Sequence, residues 1–321
     1  MKNFYIKDLQ KDMEIVDFFM VKNIAFKTGS NGKNFLDITL GDMSGDISAK
    51  KWDLSNEEAD SLSGVKSGDL VKVKAVVTEW SNMRQMRITR IRVAAVNDEL
   101  ELSDYIKAAP EKPEEMYDFI LHEAEAIGDS DLRRLTMRLL TDNKEKLMYY
   151  PAASKNHHAQ LGGLLYHMKR MLMTGKGVCE VYSNLNRDLV ITGVIIHDME
   201  KIHEIESNEL GVSPGYSFEG RLLGHIVQGI KTIDRLTLEM DFPREKAIML
   251  EHMILSHHYE PEFGSPKRPL FPEAEILHYL DIIDARMFDM EEALASTKPG
   301  EFSDRVFTLD NRQLYKRRES E

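Results

Sequence analysis

Two different periodicities divide the chain. Between residues 14 and 95 apolar and polar positions alternate in short runs: EIVDFFMVKNIAFKT, NFLDITLGD, GDISAKKWD, DLVKVKAVVTEW and MRQMRITRIRVAAV. Alternation of this kind puts every second side chain on one face of a strand. The segments GSNGK, GDMSG and VKSGD carry turn chemistry between runs. Five strands in that length predict a small closed barrel. From Glu114 onward the period changes. In MYDFILHEAEAI and DLRRLTMRLLTDNKEKLMYY apolar residues recur every three or four positions, the spacing of a helix face. The same spacing predicts helices over 158–174, 188–197, 219–237, 243–257 and 273–292, and strand alternation does not return.

The predicted fold class is therefore multidomain: an N-terminal all-β barrel followed by an all-α helical domain. A five-stranded Greek-key OB-fold fits the length of the first part. The boundaries expected from composition are 1–97 for the barrel, 98–113 for a polar linker ending in two prolines, and 114–300 for the helical domain. Residues 301–321 form a charged C-terminal tail, expected to be loosely ordered or peripheral.

Composition narrows the classes. No uninterrupted apolar run reaches the roughly 18 residues a membrane-spanning helix needs, so no membrane partner is expected. MKNFYIKDLQKDMEIV lacks the apolar core of a signal peptide. The single cysteine, Cys179, excludes an intramolecular disulfide and fits a reducing cytoplasm. A net charge of −12 argues against a protein that coats nucleic acid through general basicity. The charge is uneven: residues 1–97 carry 15 Lys+Arg against 13 Asp+Glu, and the remainder carries 27 against 41.

Histidine changes the picture most. Ten of the 11 histidines fall between 157 and 278. The stretch VITGVIIHDMEK, residues 190–201, runs apolar straight into His197 and Asp198, with Lys201 three positions on. Both polar groups would be costly to bury without partners. Further candidates follow the same habit of sitting in or beside an apolar helix: His167 in LLYHMKRM, His225 in RLLGHIVQ, His257 and His258 in LSHHYEPEFGSP, and Asp281 in LHYLDIIDARM. Imidazole and carboxylate together suit Mn, Fe, Co, Ni or Zn, and one cysteine rules out a thiolate-rich site. Seven such ligands exceed what one tetrahedral metal takes. They suffice for two metals that share a carboxylate, the clamp used for in-line attack on phosphoesters.

The ordered pattern H…HD…H…HH…D resembles the HD superfamily of metal-dependent phosphohydrolases. With HHAQLGGLLYH, HDMEK, LLGH, LSHHYEPEFGSP and LHYLDIIDARM behind an OB-like barrel, residues 14–292 are similar to the YhaM-type 3′→5′ exoribonucleases. The resemblance implies that His167, His197, Asp198 and Asp281 hold one metal, and that Asp198 bridges to a second held by His225, His257 and His258. It implies that metal-activated hydroxide attacks the terminal phosphodiester, with Lys201 neutralising phosphoryl charge, and that the metal is Mn²⁺, with Fe, Co or Ni as substitutes. The substrate implied is single-stranded RNA, with single-stranded DNA as a second candidate, degraded to 5′-mononucleotides. A homo-oligomer is also suggested.

Two positions depart from the superfamily: Glu200 stands where HDxGK has Gly, and Tyr259 follows the paired histidines. Glu200 either binds a water or faces solvent; Tyr259 either stacks on a base or narrows the pocket. His158 and Asp284 are candidates to support a ligand or touch substrate; Asp284, one helical turn past Asp281, could also exchange roles with it, Asp281 being the favoured ligand. His157 is a candidate beside His158.

In the barrel, single-stranded nucleic acid would need exposed aromatics and cations. Phe35, Trp52 and Trp80 are the aromatic candidates, and Arg84 and Arg87 lead the cationic ones, with Lys50, Lys51 and Arg90. The competing expectation is that both tryptophans close the barrel core. Two other functions compete with the exonuclease. One is an HD-type phosphohydrolase acting on a small nucleotide or cyclic dinucleotide. The other is a non-catalytic nucleic-acid binder, which the complete ligand set with Lys201 argues against.

Overall fold

The computed structural model describes residues 2–29, 32–80, 83–101, 104–154 and 158–318; His157 lies outside the described residues. The chain divides into two compact units, Met1–Ala108 with Ser207–Pro214, and Ala109–Glu206 with Gly215–Glu321.

The first unit is a closed OB-fold barrel of strand order β1-β2-β3-β5-β4, where β1 is Glu14–Thr28, β2 Asn34–Asp42, β3 Gly45–Lys51, β4 Leu70–Trp80 and β5 Met83–Val93. The alternation read from the sequence is the in–out pattern of the wall: Leu36, Ile38 and Leu40 are buried, and the residues between them face outward. β1 is long enough to serve two neighbours. Residues from Glu14 to Met20 pair with β4, those from Met20 to Thr28 pair with β2, and a register shift between Val21 and Asn23 bends the strand between them. Closure comes from a short parallel contact of β3 with β5, in which Lys50 lies opposite Arg87.

A helix the sequence reading passed over, α1 (Asn56–Leu62), joins β3 to β4. Ser55 and Glu58 start it with a capping box. The predicted linker also departs from expectation: Tyr105 is fully buried, and Asp104 accepts hydrogen bonds from the Tyr5 hydroxyl at 2.7 Å and from the Met43 amide. The described part of that segment through Ala108 thus belongs to the barrel unit.

The second unit is helical: α2 (Pro113–Glu125), α3 (Ser130–Asp142), α4 (Lys144–Leu147), α5 (Gly163–Val181), α6 (Arg187–Ile196), α7 (Lys201–Glu204), α8 (Phe218–Glu239), α9 (Arg244–Ser256) and α10 (Pro272–Ala295). A two-residue ribbon, β6 (Ile205–Glu206) with β7 (Gly215–Tyr216), interrupts the helices. α6 is the axis of this unit. Every residue from Leu189 to Ile196 is buried, which accounts for its lack of a polar face. At about 1.5–3 kcal/mol for each large apolar side chain removed from water, α6 is held hard in place.

α5 starts later than the predicted 158–174 because Gly162, just before it, has a left-handed φ of 68° that no helix continues through. The tail is not loose. Past α10 the backbone pairs Phe302 with Tyr315 and Val306 with Arg312, and Leu309 is fully buried. Charge had suggested solvation there; one apolar anchor and an Arg286–Asp310 pair at 3.1 Å hold it instead. No helix among the described residues is long and apolar enough to cross a membrane.

Candidate functional site

The C-terminal end of α6 delivers His197 and Asp198, and α9 ends in the same way on His257. In both, imidazole Nδ1–H donates to the carbonyl three residues back, His197 to Val194 at 2.9 Å and His257 to Ile254 at 2.7 Å. Carbonyls in a last helical turn lack an intrahelical partner, so each helix end fixes the ring that follows it. Three other groups do the same work. The Phe263 carbonyl accepts from His258 Nδ1 at 2.6 Å, Asp284 from His167 Nδ1 at 2.7 Å, and Glu204 from His225 Nδ1 at 2.9 Å. In all five rings Nδ1 is therefore the donor to its acceptor, and Nε2, which carries the lone pair when the ring is neutral, turns the other way.

Those lone pairs gather about Asp198. Around its Oδ2 lie His197 Nε2 at 3.3 Å and His167 Nε2 at 3.6 Å; near its Oδ1 lie His225 Nε2 at 3.4 Å and His257 Nε2 at 3.8 Å. Asp281 Oδ1 stands 3.4 Å from His167 Nε2, on the first side. His258 brings a ligand atom within 4.8 Å of those of His225 and His257, on the second. Two ligands of one ion at about 2.0–2.2 Å are separated by roughly 2.8–3.6 Å, close to these spacings. The Nε2 atoms of His167, His197, His225 and His257, and Asp198 Oδ1, are buried with no hydrogen-bond partner among the described residues. Each such orphan costs about 1–3 kcal/mol. A concentration of them at one carboxylate fits cations between them, and the imidazole–carboxylate donor set fits divalent transition metals.

The charges are arranged to match. Burial works to protonate Asp198, but His197 and Lys201 outweigh it and hold the carboxyl well below its usual range. Lys201 Nζ lies 2.6 Å from Asp198 Oδ2; burial would lower its ammonium, but Asp198 and Asp281 hold it up. Burial, with His258 and His197 nearby, pushes His257 well below the imidazole range and keeps it neutral. Asp281 likewise stays ionised, burial opposing and His167 and His197 prevailing.

Asp281 and Asp284, one turn apart on α10, occupy different places. Asp281 faces the lone pairs. Asp284 backs them: its Oδ2 receives His167 and, at 2.8 Å, His158 Nε2, and its Oδ1 receives Arg170 Nε at 2.5 Å. His158 therefore sits behind the cluster, its imidazole pushed down to about 4 by burial, with Asp284 opposing. Glu200 neither faces solvent nor joins the cluster; it is buried and its carboxylate accepts from His203 at 2.7 Å.

Sequence reasoning missed Glu204 and Arg170. Glu204 meets His225 from 21 positions away, and no spacing signals that. It also accepts the His225 backbone N–H at 3.1 Å, an amide freed because α8 breaks at Gly224, whose φ of 68° and ψ of 163° suit only glycine.

The barrel candidates part company. Both tryptophans face out, Trp52 at 50% and Trp80 at 72% exposure, so neither closes the core. The Phe35 and Trp52 rings stack with centroids 4.6 Å apart, Lys50 Nζ lies 5.7 Å from the Trp52 ring, and Arg87 is the cross-strand partner of Lys50. Trp80 stands apart from that pair, opposite Met83 where β4 gives way to β5. Arg84 is exposed, and its Nη1 donates to the Leu9 carbonyl. Lys51 is buried and pairs with Glu58 at 3.0 Å.

Comparison with known proteins agrees with this division. Residues 164–286 match the HD domain family, and residues 20–94 match the family described as OB-fold nucleic acid binding domain. Among solved structures, the chain is similar to the second OB-fold domain of replication protein A from Methanococcus maripaludis, at 22% identity over 31% of this chain and 99% of that one, with a TM-score of 0.23. It is also similar to Rim1, a mitochondrial single-stranded DNA binding protein from S. cerevisiae, at 13% identity over 26% of this chain and 97% of that one, with a TM-score of 0.22. HD domains bind divalent metals and mark metal-dependent phosphohydrolases, and an HD domain joined to an OB nucleic-acid-binding domain points to a hydrolase that acts on nucleic acid.

Proposed function

We propose that the protein is a metal-dependent 3′→5′ exonuclease of the YhaM type, working in the cytoplasm on single-stranded RNA, with single-stranded DNA as a second substrate. The observation that carries the reading is the ring of unpartnered Nε2 atoms on both sides of Asp198, in a chain that also carries an outward Phe35–Trp52 stack beside Lys50 and Arg87.

On this reading His167, His197, Asp198 and Asp281 hold one divalent ion, and Asp198, His225, His257 and His258 a second, Mn²⁺ being the expected metal. Bound there, the pair supplies Lewis acidity, which acidifies water and screens the phosphoryl charge. The remaining work belongs to the chain. Asp284 and Glu204 keep their imidazoles aimed. Lys201, poised at the edge of Asp198, offers its ammonium to the non-bridging phosphoryl oxygens as charge builds on them. Water adds to phosphorus in line, the P–O3′ bond breaks, and the 3′ oxygen leaves with a proton. The products are a 5′-mononucleotide and a strand one residue shorter. The barrel stacks bases on Phe35 and Trp52 and holds phosphates with Lys50 and Arg87.

The test is a gel assay on 5′-labelled single-stranded RNA with Mn²⁺, beside EDTA and Asp198→Ala. A stepwise ladder that vanishes in both controls is expected. RNA left intact with every plausible divalent metal would sink the exonuclease and move attention to small nucleotides.

A further inference from the structure

The loop that follows the paired histidines does more than support them. Tyr259, Glu260, Ser265, Pro266, Lys267 and Arg268 line a surface hollow. One wall is shared with the metal cluster: the buried Ser265 hydroxyl accepts the His258 backbone N–H at 3.0 Å, and Phe263 in the same loop fixes the His258 ring. Tyr259 has a φ of 69°, a left-handed backbone that a bulky residue adopts only at a cost and that concentrates at functional sites.

A column of contacts holds it there. His278 Nδ1 donates to the His257 carbonyl at 2.7 Å, the His278 ring lies 4.8 Å from the Tyr259 ring, and the Arg268 guanidinium carbon lies 5.0 Å from the Tyr259 ring centroid. An arginine ten positions from His258 is thereby tied, ring by ring, to the backbone of a candidate ligand. Its one ion pair among the described residues, to Glu260 at 3.3 Å, joins side chains 64% and 43% exposed. Exposed pairs contribute little, so that contact is easily exchanged for another anion. The sequence outside the barrel is strongly acidic, with 27 basic residues against 41 acidic ones after residue 97. Glu260 and Glu262 line the same hollow and balance its formal charge, so the attraction for a polyanion is confined to the side on which Arg268 and exposed Lys267 stand.

We propose that Arg268, held against Tyr259, binds a non-scissile backbone phosphate of the strand and so selects polynucleotides over mononucleotides and other small phosphodiesters. The inference rests on the nuclease reading. A planar guanidinium matches a phosphate with two parallel N–H donors, and its contact with Tyr259, whose ring neighbours His278, keeps it in the loop that follows His257 and His258. Arg268 is thus a positioning residue that touches the strand away from the reacting atoms.

The test compares the Mn²⁺-loaded full chain on two substrates: a single-stranded oligoribonucleotide and bis(p-nitrophenyl) phosphate, which has no second phosphate. Arg268→Ala should raise KM for RNA about tenfold with kcat little changed, and should flatten the slope of log KM against log salt by about 0.7, the value of one lost phosphate contact on a single strand. Hydrolysis of the small diester should be unaffected. Arg268→Lys should restore the salt slope but only part of the affinity, and Tyr259→Leu should weaken RNA binding in the same direction as Arg268→Ala. If RNA is degraded normally and Arg268→Ala leaves KM and the salt slope unchanged, the inference is wrong. Equal loss on both substrates would also overturn it, because the loop would then serve only to hold His258. A wild-type protein that cleaves the small diester but no RNA would remove the nuclease reading itself and this inference with it.

Discussion

Asp284 and Glu204 are the residues that separate a set of histidines from a built site. Each accepts the Nδ1–H of one imidazole, His167 or His225, and these two rings stand on opposite oxygens of Asp198. Both carboxyls stay ionised: burial opposes this, but His158 and His167 hold Asp284 down and His225 holds Glu204 down. A carboxylate behind a ligating imidazole fixes the ring and raises its basicity, and its loss typically costs about 10–100-fold in metal affinity. Asp284→Asn and Glu204→Gln are each expected to weaken Mn²⁺ binding by that factor, read by calorimetric titration. They should do so by less than the loss expected for Asp198. If Asp284→Asn instead abolishes one binding event outright, Asp284 is a ligand and its assignment as a support is wrong.

At the scale of elements, the site depends on helix ends more than on helix faces. α6 and α9 each stop just before a histidine and offer it a carbonyl; α8 breaks at Gly224 and frees the His225 backbone N–H, which donates to Glu204. Periodicity reveals that these helices exist, because a buried stripe recurs, but says little about how they end. That is why candidate ligands could be proposed from VITGVIIHDMEK and LSHHYEPEF while the supports could not: the partners of His225 and His167 come from 21 and 117 positions away. α1 was missed although Ser55 and Glu58 carry a capping signature, since a seven-residue helix shows too little periodicity.

Caps elsewhere are simpler to test. Asp129 caps α3, accepting from the amides of Asp131 and Leu132, and Lys246 binds its other oxygen at 2.5 Å. Burial raises its carboxyl, but Lys246 and the two amides outweigh burial and depress it. A depressed folded-state value contributes stability above the unfolded value of about 3.9 and loses it as pH falls through the folded one. Asp129→Ala should therefore cost about 1 kcal/mol near neutral pH, with the gap from wild type closing in acid. A thermal-denaturation series across pH would show it, and a gap that widened on acidification would contradict the assignment.

For the whole molecule, the two units answer to different physics. The barrel follows from alternation alone: the five runs quoted from the sequence are its five strands, with β1 and β2 matching residue for residue. Its outward aromatics were less legible, because alternation fixes which face a residue takes only inside a strand, and Trp52 and Trp80 stand at strand ends. The tail is peripheral, as its charge suggests, and most of it is exposed, but Leu309 is fully buried, and one apolar residue among charged ones gave no signal of that. Division of labour makes a prediction of its own. Trp52→Ala should weaken single-stranded RNA binding by about 1–3 kcal/mol for the base it stacks while leaving hydrolysis of a small phosphodiester intact. Loss of both activities would mean that Trp52 serves the fold.

On the proposed reading Asp198 is shared by two metals, and calorimetric titration of Mn²⁺ into the metal-stripped chain and its Asp198→Asn variant tests this most directly. Two ions per chain are expected, both bound far more weakly once the shared carboxylate is gone. A single ion, or binding indifferent to Asp198→Asn, would contradict the two-metal centre and leave the orphaned imidazoles without the partners assigned to them.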